Sequence, residues 1–386
     1  MECSSTHPSR FVIVHFTDLH YGESESNDLK SKGVMQRVLD AERPIDLVVF
    51  GGDQVSGWLV NSRWLTLSKW LESISIVNGM KIHFATIFGN HDDQPYAGDP
   101  PGMLPWVTGM LMLACLALAG SMHFSNLRKS SPFIACLGMA LLSIYSMVYP
   151  STKMRQSIFH YEKSFYARYS RTQMGDASLH GQSNYFLPVV CPPAGRTSAT
   201  ISNSTTMLLF FLDSGGGMIS ERITQGQVEW ISAVASRFPA SISLVFMHIP
   251  TLDYGQIMRQ PSEKRLHRCW GDQHTEQTSY TIPPRAFMQS LYSAGVRGVF
   301  VGHDHNNSWC CAPKHESKKI HQQMPALCYG RHTGYGGYDG GWERGGRVIE
   351  VNFSTLNGFS IATWIRMESG LKSELGVLFE NDYGYG

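Results

Sequence analysis

The strongest constraint on this chain is a pattern that occurs five times. A short apolar run breaks off, and side chains able to bind metals follow at once. Residues 11–16 lead into Thr17-Asp18-Leu19-His20, and 46–50 lead into Gly51-Gly52-Asp53-Gln54. Residues 82–88 lead into Gly89-Asn90-His91-Asp92, 242–247 into His248, and 296–301 into Gly302-His303-Asp304-His305. Runs of this length rich in Val, Ile and Phe predict buried strands. Between the first three, the sequence predicts a helix over 29–42 that stops before Pro44. A second helix follows Asn61, with Trp64, Leu67, Leu71 and Ile74 on one face and Gly79 at its end. Strand, helix, strand, helix, strand is the rhythm of an α/β sheet with crossover helices. In such a sheet, groups just past the carboxyl ends of parallel strands converge on one crevice.

The candidates for that crevice are Asp18, His20, Asp53, Asn90, His248, His303 and His305. Seven anionic or neutral donors suffice for two metal ions if one carboxylate is shared, and Asp53 is the natural bridge. Two cations roughly 3.5–4 Å apart clamp a phosphoryl group and generate a bridging hydroxide for in-line attack. His91 follows a ligand and points elsewhere, so it is free to protonate the leaving group or hold a phosphate oxygen. Asn90, His91, Arg331 and His332 are the candidates for substrate binding, the last two more weakly, from the glycine-rich stretch 330–346. Taken singly, each motif has an ordinary reading: Asp-x-His is a turn with a surface histidine, and Gly-Gly-Asp is turn chemistry. Specificity lies in all five arriving in order at strand ends. The loop 213–217 reads as a tight turn, and Glu23, Glu25 and Asp93 read as solvated.

Later strands are expected at 207–212, 347–353 and 359–365. One helix is expected after Thr224 with Val228, Ile231 and Val234 inward, and another opens at Pro284 and closes at Gly295. Residues 154–206 and 254–281 read as polar and irregular. The chain divides into a polar N-terminal tail (1–10), a catalytic domain (11–102 and 150–366), an insert (103–149) and a C-terminal tail (367–386).

Charged residues are only 16% of the chain, against about 25% in a typical soluble domain. The insert accounts for part of this: 103–122 and 132–149 contain no charged side chain, and Arg128 and Lys129 lie between them. Both stretches meet the length rule for membrane-spanning helices, so 103–149 is read as a hydrophobic helical hairpin that anchors the protein to a membrane. A pair of buried core helices is the alternative, and a segment not normally translated is a third. A net charge of +1 with no basic block excludes a non-specific nucleic-acid surface. The first strand begins so early that no cleavable signal peptide is expected, and membrane association aside, a cytoplasmic home is expected. No C-x-x-C pair signals structural zinc; Cys310, Cys311 and Cys328 could bridge in an oxidising compartment.

The set D-x-H, GD, GNH[DE], H and GHxH resembles the calcineurin-like metallophosphoesterase superfamily. Thr17-Asp18-Leu19-His20, Phe88-Gly89-Asn90-His91-Asp92-Asp93, Leu212-Asp213-Ser214-Gly215-Gly216, Met247-His248-Ile249-Pro250 and Val301-Gly302-His303-Asp304-His305-Asn306 are similar to its purple-acid-phosphatase-like branch. The resemblance implies a four-layer αββα sandwich and a dinuclear centre of divalent transition metals (Mn, Fe or Zn). It also implies hydrolysis of phosphate esters, whether as phosphatase or phosphodiesterase. By motif, Asp18, His20, Asp53 and His305 would hold one metal, and Asp53, Asn90, His248 and His303 the other, with His91 as the acid. Purple acid phosphatases have a tyrosine where Ser56 stands and lack the histidine that stands here as His20, so a colourless centre is implied. The competing expectation is a non-catalytic scaffold or membrane-interaction protein that keeps the fold.

Overall fold

The computed structural model describes residues 1–3, 9–57, 59–60, 62–94, 152–191, 206–273, 276–314, 324–338, 341–353 and 358–380. The expected hairpin at 103–149 and the cap at Asn61 lie outside the described residues. Among the described residues, no helix is long and apolar enough to cross a membrane.

The chain opens with β1 (Arg10–Phe16), α1 (Glu25–Glu42), β2 (Leu47–Phe50), α2 (Arg63–Gly79) and β3 (Phe84–Thr86). Ser24 and Ser62 cap the two helices, their hydroxyls accepting from Asn27 N–H and Leu65 N–H. After the undescribed stretch come α3 (Thr152–Tyr166), β4 (Tyr185–Val189), β5 (Met207–Phe211) and α4 (Gln225–Arg237), the last opened by the expected cap Thr224 in a capping box with Gln227. Next are β6 (Ile242–Phe246), α5 (Leu252–Arg259), α6 (Pro261–Leu266), β7 (His267–Trp270), α7 (Phe287–Ser293) and β8 (Val296–Val301). The chain closes with β9 (Cys310–Pro313), β10 (Ala326–Tyr329), β11 (Gly345–Phe353), β12 (Phe359–Met367) and β13 (Lys372–Glu380).

These strands build two mixed sheets, in the orders β13-β12-β11-β1-β2-β3 and β4-β5-β6-β8-β10-β9-β7. β1, β2 and β3 run parallel, as do β5, β6, β8 and β10. Alternation along each strand sets the layers. Phe11, Ile13 and Val49 of the first sheet pack against Phe211, Leu244, Phe246 and Phe300 of the second. Val12, Val14 and Phe16 face the other way, onto Val34 and Val38 of α1 and Trp70 and Ile74 of α2. Leu208, Phe210 and Val245 cover Val228 and Ile231 of α4 and Leu291 of α7. Helices, sheet, sheet, helices is the α/β sandwich expected from the motifs.

Five stretches differ from their expected form. Among the described residues of 154–206, α3 and β4 replace part of the expected irregular stretch. The buried face of α3 carries Arg155 and Glu162 beside Met154 and Ile158, so an apolar stripe is lacking. Stretch 254–281 holds most of α5, all of α6 and β7. The helix expected to open at Pro284 starts at Phe287 instead. The C-terminal tail contains β13, an edge strand with Leu375 and Val377 outward, where polar-apolar alternation is weak. The N-terminal tail is tied down as well, since Cys3 N–H donates to Val190 O and Cys3 is bonded to Cys191. Two further disulfides, Cys269–Cys311 and Cys310–Cys328, staple β7, β9 and β10. Of the three cysteines that could bridge, Cys310 pairs with Cys328, whereas Cys311 turns to the opposite face and meets Cys269.

Candidate metal centre

The parallel strands deliver their donors to one edge of the sandwich. β1 ends in Asp18 and His20, β2 in Asp53, β3 in Asn90 and His91, β6 in His248, and β8 in His303 and His305. The chain turns sharply there: Asp18, His20, Asp53 and His303 take φ of 58°, 49°, 52° and 75°. Left-handed backbone at non-glycine residues costs about 1–3 kcal/mol each and clusters at functional sites. It persists here because the loops hold one another, with Asp18 N–H donating to Gly52 O and His20 N–H to Asp53 O. Close packing demands glycine at two flanking positions. A Cβ at Gly89 would strike the Asp53 carboxylate, and one at Gly302 would strike the Thr17 hydroxyl.

Two groups of three donors result, Asp18 with His20 and His305, and Asp53 with His248 and His303; within each group the ligand atoms lie within 4.8 Å of one another. His20 Nε2 and His305 Nε2 are 3.1 Å apart. Asp53 Oδ2 faces both groups, 3.1 Å from His248 Nε2 and 3.8 Å from His20 Nε2. Asn90 Oδ1 completes the second group, 2.9 Å from His303 Nδ1 and 3.1 Å from His248 Nε2. All seven expected donors thus meet, although they are spread from Asp18 to His305 in sequence.

The far ring nitrogens are engaged so that the near ones face inward. His248 Nδ1–H donates to Gly51 O and His305 Nδ1–H to Tyr338 O, each leaving an Nε2 lone pair for the centre. His20 Nδ1–H donates to Ser56 Oγ, whose own hydrogen goes to Glu23 Oε1 at 2.6 Å. The charge balance is that of a cation site. Burial pushes His20 and His303 down to about 3, and holds His305 well below its usual value. These imidazoles are held neutral, the form in which a histidine can bind a metal. Burial also pushes the Asp18 carboxyl up to about 7, against the pull of His248. For Asp53 burial acts upward too, but His248 and His91 win and hold it ionised. On His248 burial acts downward, but the carboxylates of Asp53 and Asp18 win and raise it to about 10. A donor set of carboxylates and imidazoles in which one imidazole holds a proton between two carboxylates fits a site for divalent metal ions, which would take that proton's place.

His91 lies outside both groups. Its N–H donates to Asp53 Oδ1 at 2.7 Å, and its Nε2 stands 4.0 Å from Asp53 Oδ2. The ring lines a cleft of about 650 Å³ together with His20, Glu23, Leu59, Glu276 and Tyr338. Arg331 is not brought to this cleft. Its guanidinium bonds Glu343 O and Ser308 Oγ and stacks on Trp342. His332 is buried behind His305, with ring centroids 4.0 Å apart, and bonds Gly336 O. Arg331 and His332 therefore shape the loop instead of facing a phosphate.

Sequence reasoning gave no role to several residues that build the site. Asp92 is buried and accepts four backbone N–H groups, from Gly89, Asp53, Gln54 and Val55. Its place in Gly-Asn-His-Asp was the available signal. Asp93 and Asp213, read as solvated and as part of a turn, are buried partners of Arg155. Glu23 is half-buried and bonds Ser56 and Gly337 N–H.

A family profile of calcineurin-like phosphoesterases matches residues 11–307. The chain belongs to the calcineurin-like phosphoesterase family, and its relatives are purple-acid-phosphatase-like proteins. It is 25% identical to "Probable inactive purple acid phosphatase 28" of Arabidopsis thaliana, over 96% of this chain and 84% of that protein. It is 27% identical to "Phosphatase DCR2" of Saccharomyces cerevisiae, over 95% of this chain and 55% of that protein. Among solved structures, GAP50, the anchor in the inner membrane complex of Plasmodium, superposes with a TM-score of 0.48 at 12% identity, covering 97% of this chain and 90% of that one.

Proposed function

We propose that this protein is a dinuclear metal-dependent phosphoric-ester hydrolase with His91 as its acid. The observation that supports it most is the meeting of two three-donor groups at Asp53, with His91 beside them. Asp18, His20, Asp53 and His305 would hold one metal, and Asp53, Asn90, His248 and His303 the other. Bound there, the metals would neutralise phosphoryl charge and activate water at neutral pH. Asp53 orients both halves, Asn90 and His91 line the phosphate's approach, and His91 Nε2 is placed to give its proton to the leaving oxygen.

The cleft beyond the donors is acidic. Beyond the donors it is lined by Glu23, Glu276 and Asp304, with Leu59 and Tyr338, and no Lys or Arg lines it among the described residues. The substrate is therefore an ester whose leaving group adds no further negative charge, of a size that about 650 Å³ accommodates. Metal analysis of purified protein beside a panel of phosphomonoesters, phosphodiesters and polyphosphates tests this. Asp53→Ala should lose both metals and activity; an Asp53→Ala protein that hydrolyses a nitrophenyl phosphate at the parent rate sinks the reading.

A second reading, a non-catalytic protein that keeps the fold, is favoured by the words "probable inactive" in the names of three Arabidopsis relatives. Purified protein without a bound transition metal would decide for it. Membrane attachment through 103–149 remains part of the proposal, and release of the protein by carbonate extraction would remove it.

A further inference from the structure

Arg155 has no exposed surface and lies outside both donor groups. Its Nε and Nη2 donate to the two oxygens of Asp93 at 2.9 and 3.1 Å, and its Nη1 to both oxygens of Asp213 at 2.7 and 2.6 Å. Nη2 also donates to Gly89 O at 3.1 Å and Gly216 O at 2.9 Å, and the guanidinium sits 5.2 Å from the Phe88 ring centroid. One side chain thus grips the residue before Asn90, a residue three after it, and the loop that follows β5. That loop touches Asn90 directly: a Cβ at Gly216 would strike the Asn90 side chain, and one at Gly217 would strike the Asp93 carboxylate.

We propose that Arg155 is a positioning residue for Asn90 and His91, and through Asn90 for the half of the centre built by Asp53, His248 and His303. This rests on the dinuclear reading above. The ion pairs with Asp93 and Asp213 fix the loop that carries Asn90 and His91 from both sides. The planar fork of arginine suits this task, because it spans two carboxylates and two carbonyls at once; a lysine ammonium cannot. The group of Asp18, His20 and His305 shares none of these partners, so the two halves of the centre should respond differently.

Two variants test the assignment. Arg155→Lys keeps the charge and loses the fork. The triple variant Asp93→Asn, Arg155→Met, Asp213→Asn removes all three charges and leaves no buried carboxylate unpaired. Each is compared with the parent by melting, by manganese content per chain, by the exchange-coupled Mn(II) pair signal in electron paramagnetic resonance, and by turnover of a nitrophenyl phosphate. The expected result is two manganese ions in the parent against one in each folded variant, with the coupled signal gone and turnover at least tenfold lower. A merely structural role would lower the melting temperature and leave the manganese count at two. That count in either variant overturns the proposal, as does failure of both variants to fold. A parent that binds no manganese or any other transition metal overturns the dinuclear reading itself, and this proposal with it.

Discussion

At the residue scale, the roles divide between ligands and the side chains that aim them. His91 donates its backbone N–H to Asp53 but is in neither donor group. His91→Ala should therefore keep its metal and lose about 10²- to 10⁴-fold in turnover, the range for a lost general acid; loss of metal from this variant would show that the ring is a ligand. Ser56 acts through His20. Removing its oxygen in Ser56→Ala leaves His20 Nδ1 without an acceptor and frees the ring to rotate. Second partners of this kind are worth about 10- to 100-fold in metal affinity, so a metal titration should show one site weakened by that factor. An unchanged isotherm would make the Ser56 bond incidental. The seven donors were legible in the sequence because each stands immediately after an apolar run. Ser56, Glu23 and Arg155 were not, because their function depends on contacts made far along the chain. Glu23 reaches Gly337, and Arg155 reaches Asp93 and Asp213.

At the element scale, the site is the set of bends where parallel strands end. Those bends tolerate no added volume where loops cross. In Gly302→Ala the new methyl group would meet Thr17, whose hydroxyl holds Asp18 Oδ2 at 2.8 Å. Overpacking of this kind costs about 1–3 kcal/mol. The expected outcome is a lower melting temperature together with weaker metal binding; a variant indistinguishable from the parent would mean the strand ends are looser than their packing indicates. The strands that present donors could be read from sequence, since β1, β2, β6 and β8 are buried on both faces and appear as continuous apolar runs. α3 and β13 could not. Glu162 on α3 is a buried polar hub, bonding Trp70 Nε1, Ser170 Oγ and Thr86 Oγ1. A helix whose inner face is ionic has no periodic apolar signature. β13 lies at a sheet edge, where Leu375 and Val377 are exposed while Glu374 is turned in on the same side as Leu378. The usual alternation is blurred.

At the scale of the whole molecule, two sheets share an apolar core and are tied at opposite ends. At the carboxyl end, each donor group takes members from both sheets: Asp18 and His20 from the first with His305 from the second, and Asp53 from the first with His248 and His303 from the second. A metal in either place is a rivet between sheets. At the other end, Cys3 precedes β1 of the first sheet and is bonded to Cys191, which follows β4 of the second. A ligand that binds only the folded state stabilises it by mass action, so chelation should lower the melting temperature. A disulfide closing so long a loop contributes about 2–4 kcal/mol, so the double substitution Cys3→Ala, Cys191→Ala should lower it as well. Because the two ties share no partners, their effects should add to within about 0.5 kcal/mol. The measurement is a thermodynamic cycle: parent and double variant, each with and without chelator. Equal losses on chelation in both proteins are expected. A chelator effect that vanishes in the double variant would mean that the N-terminal tie, and not the apolar core, sets the spacing of the two sheets at the metal centre.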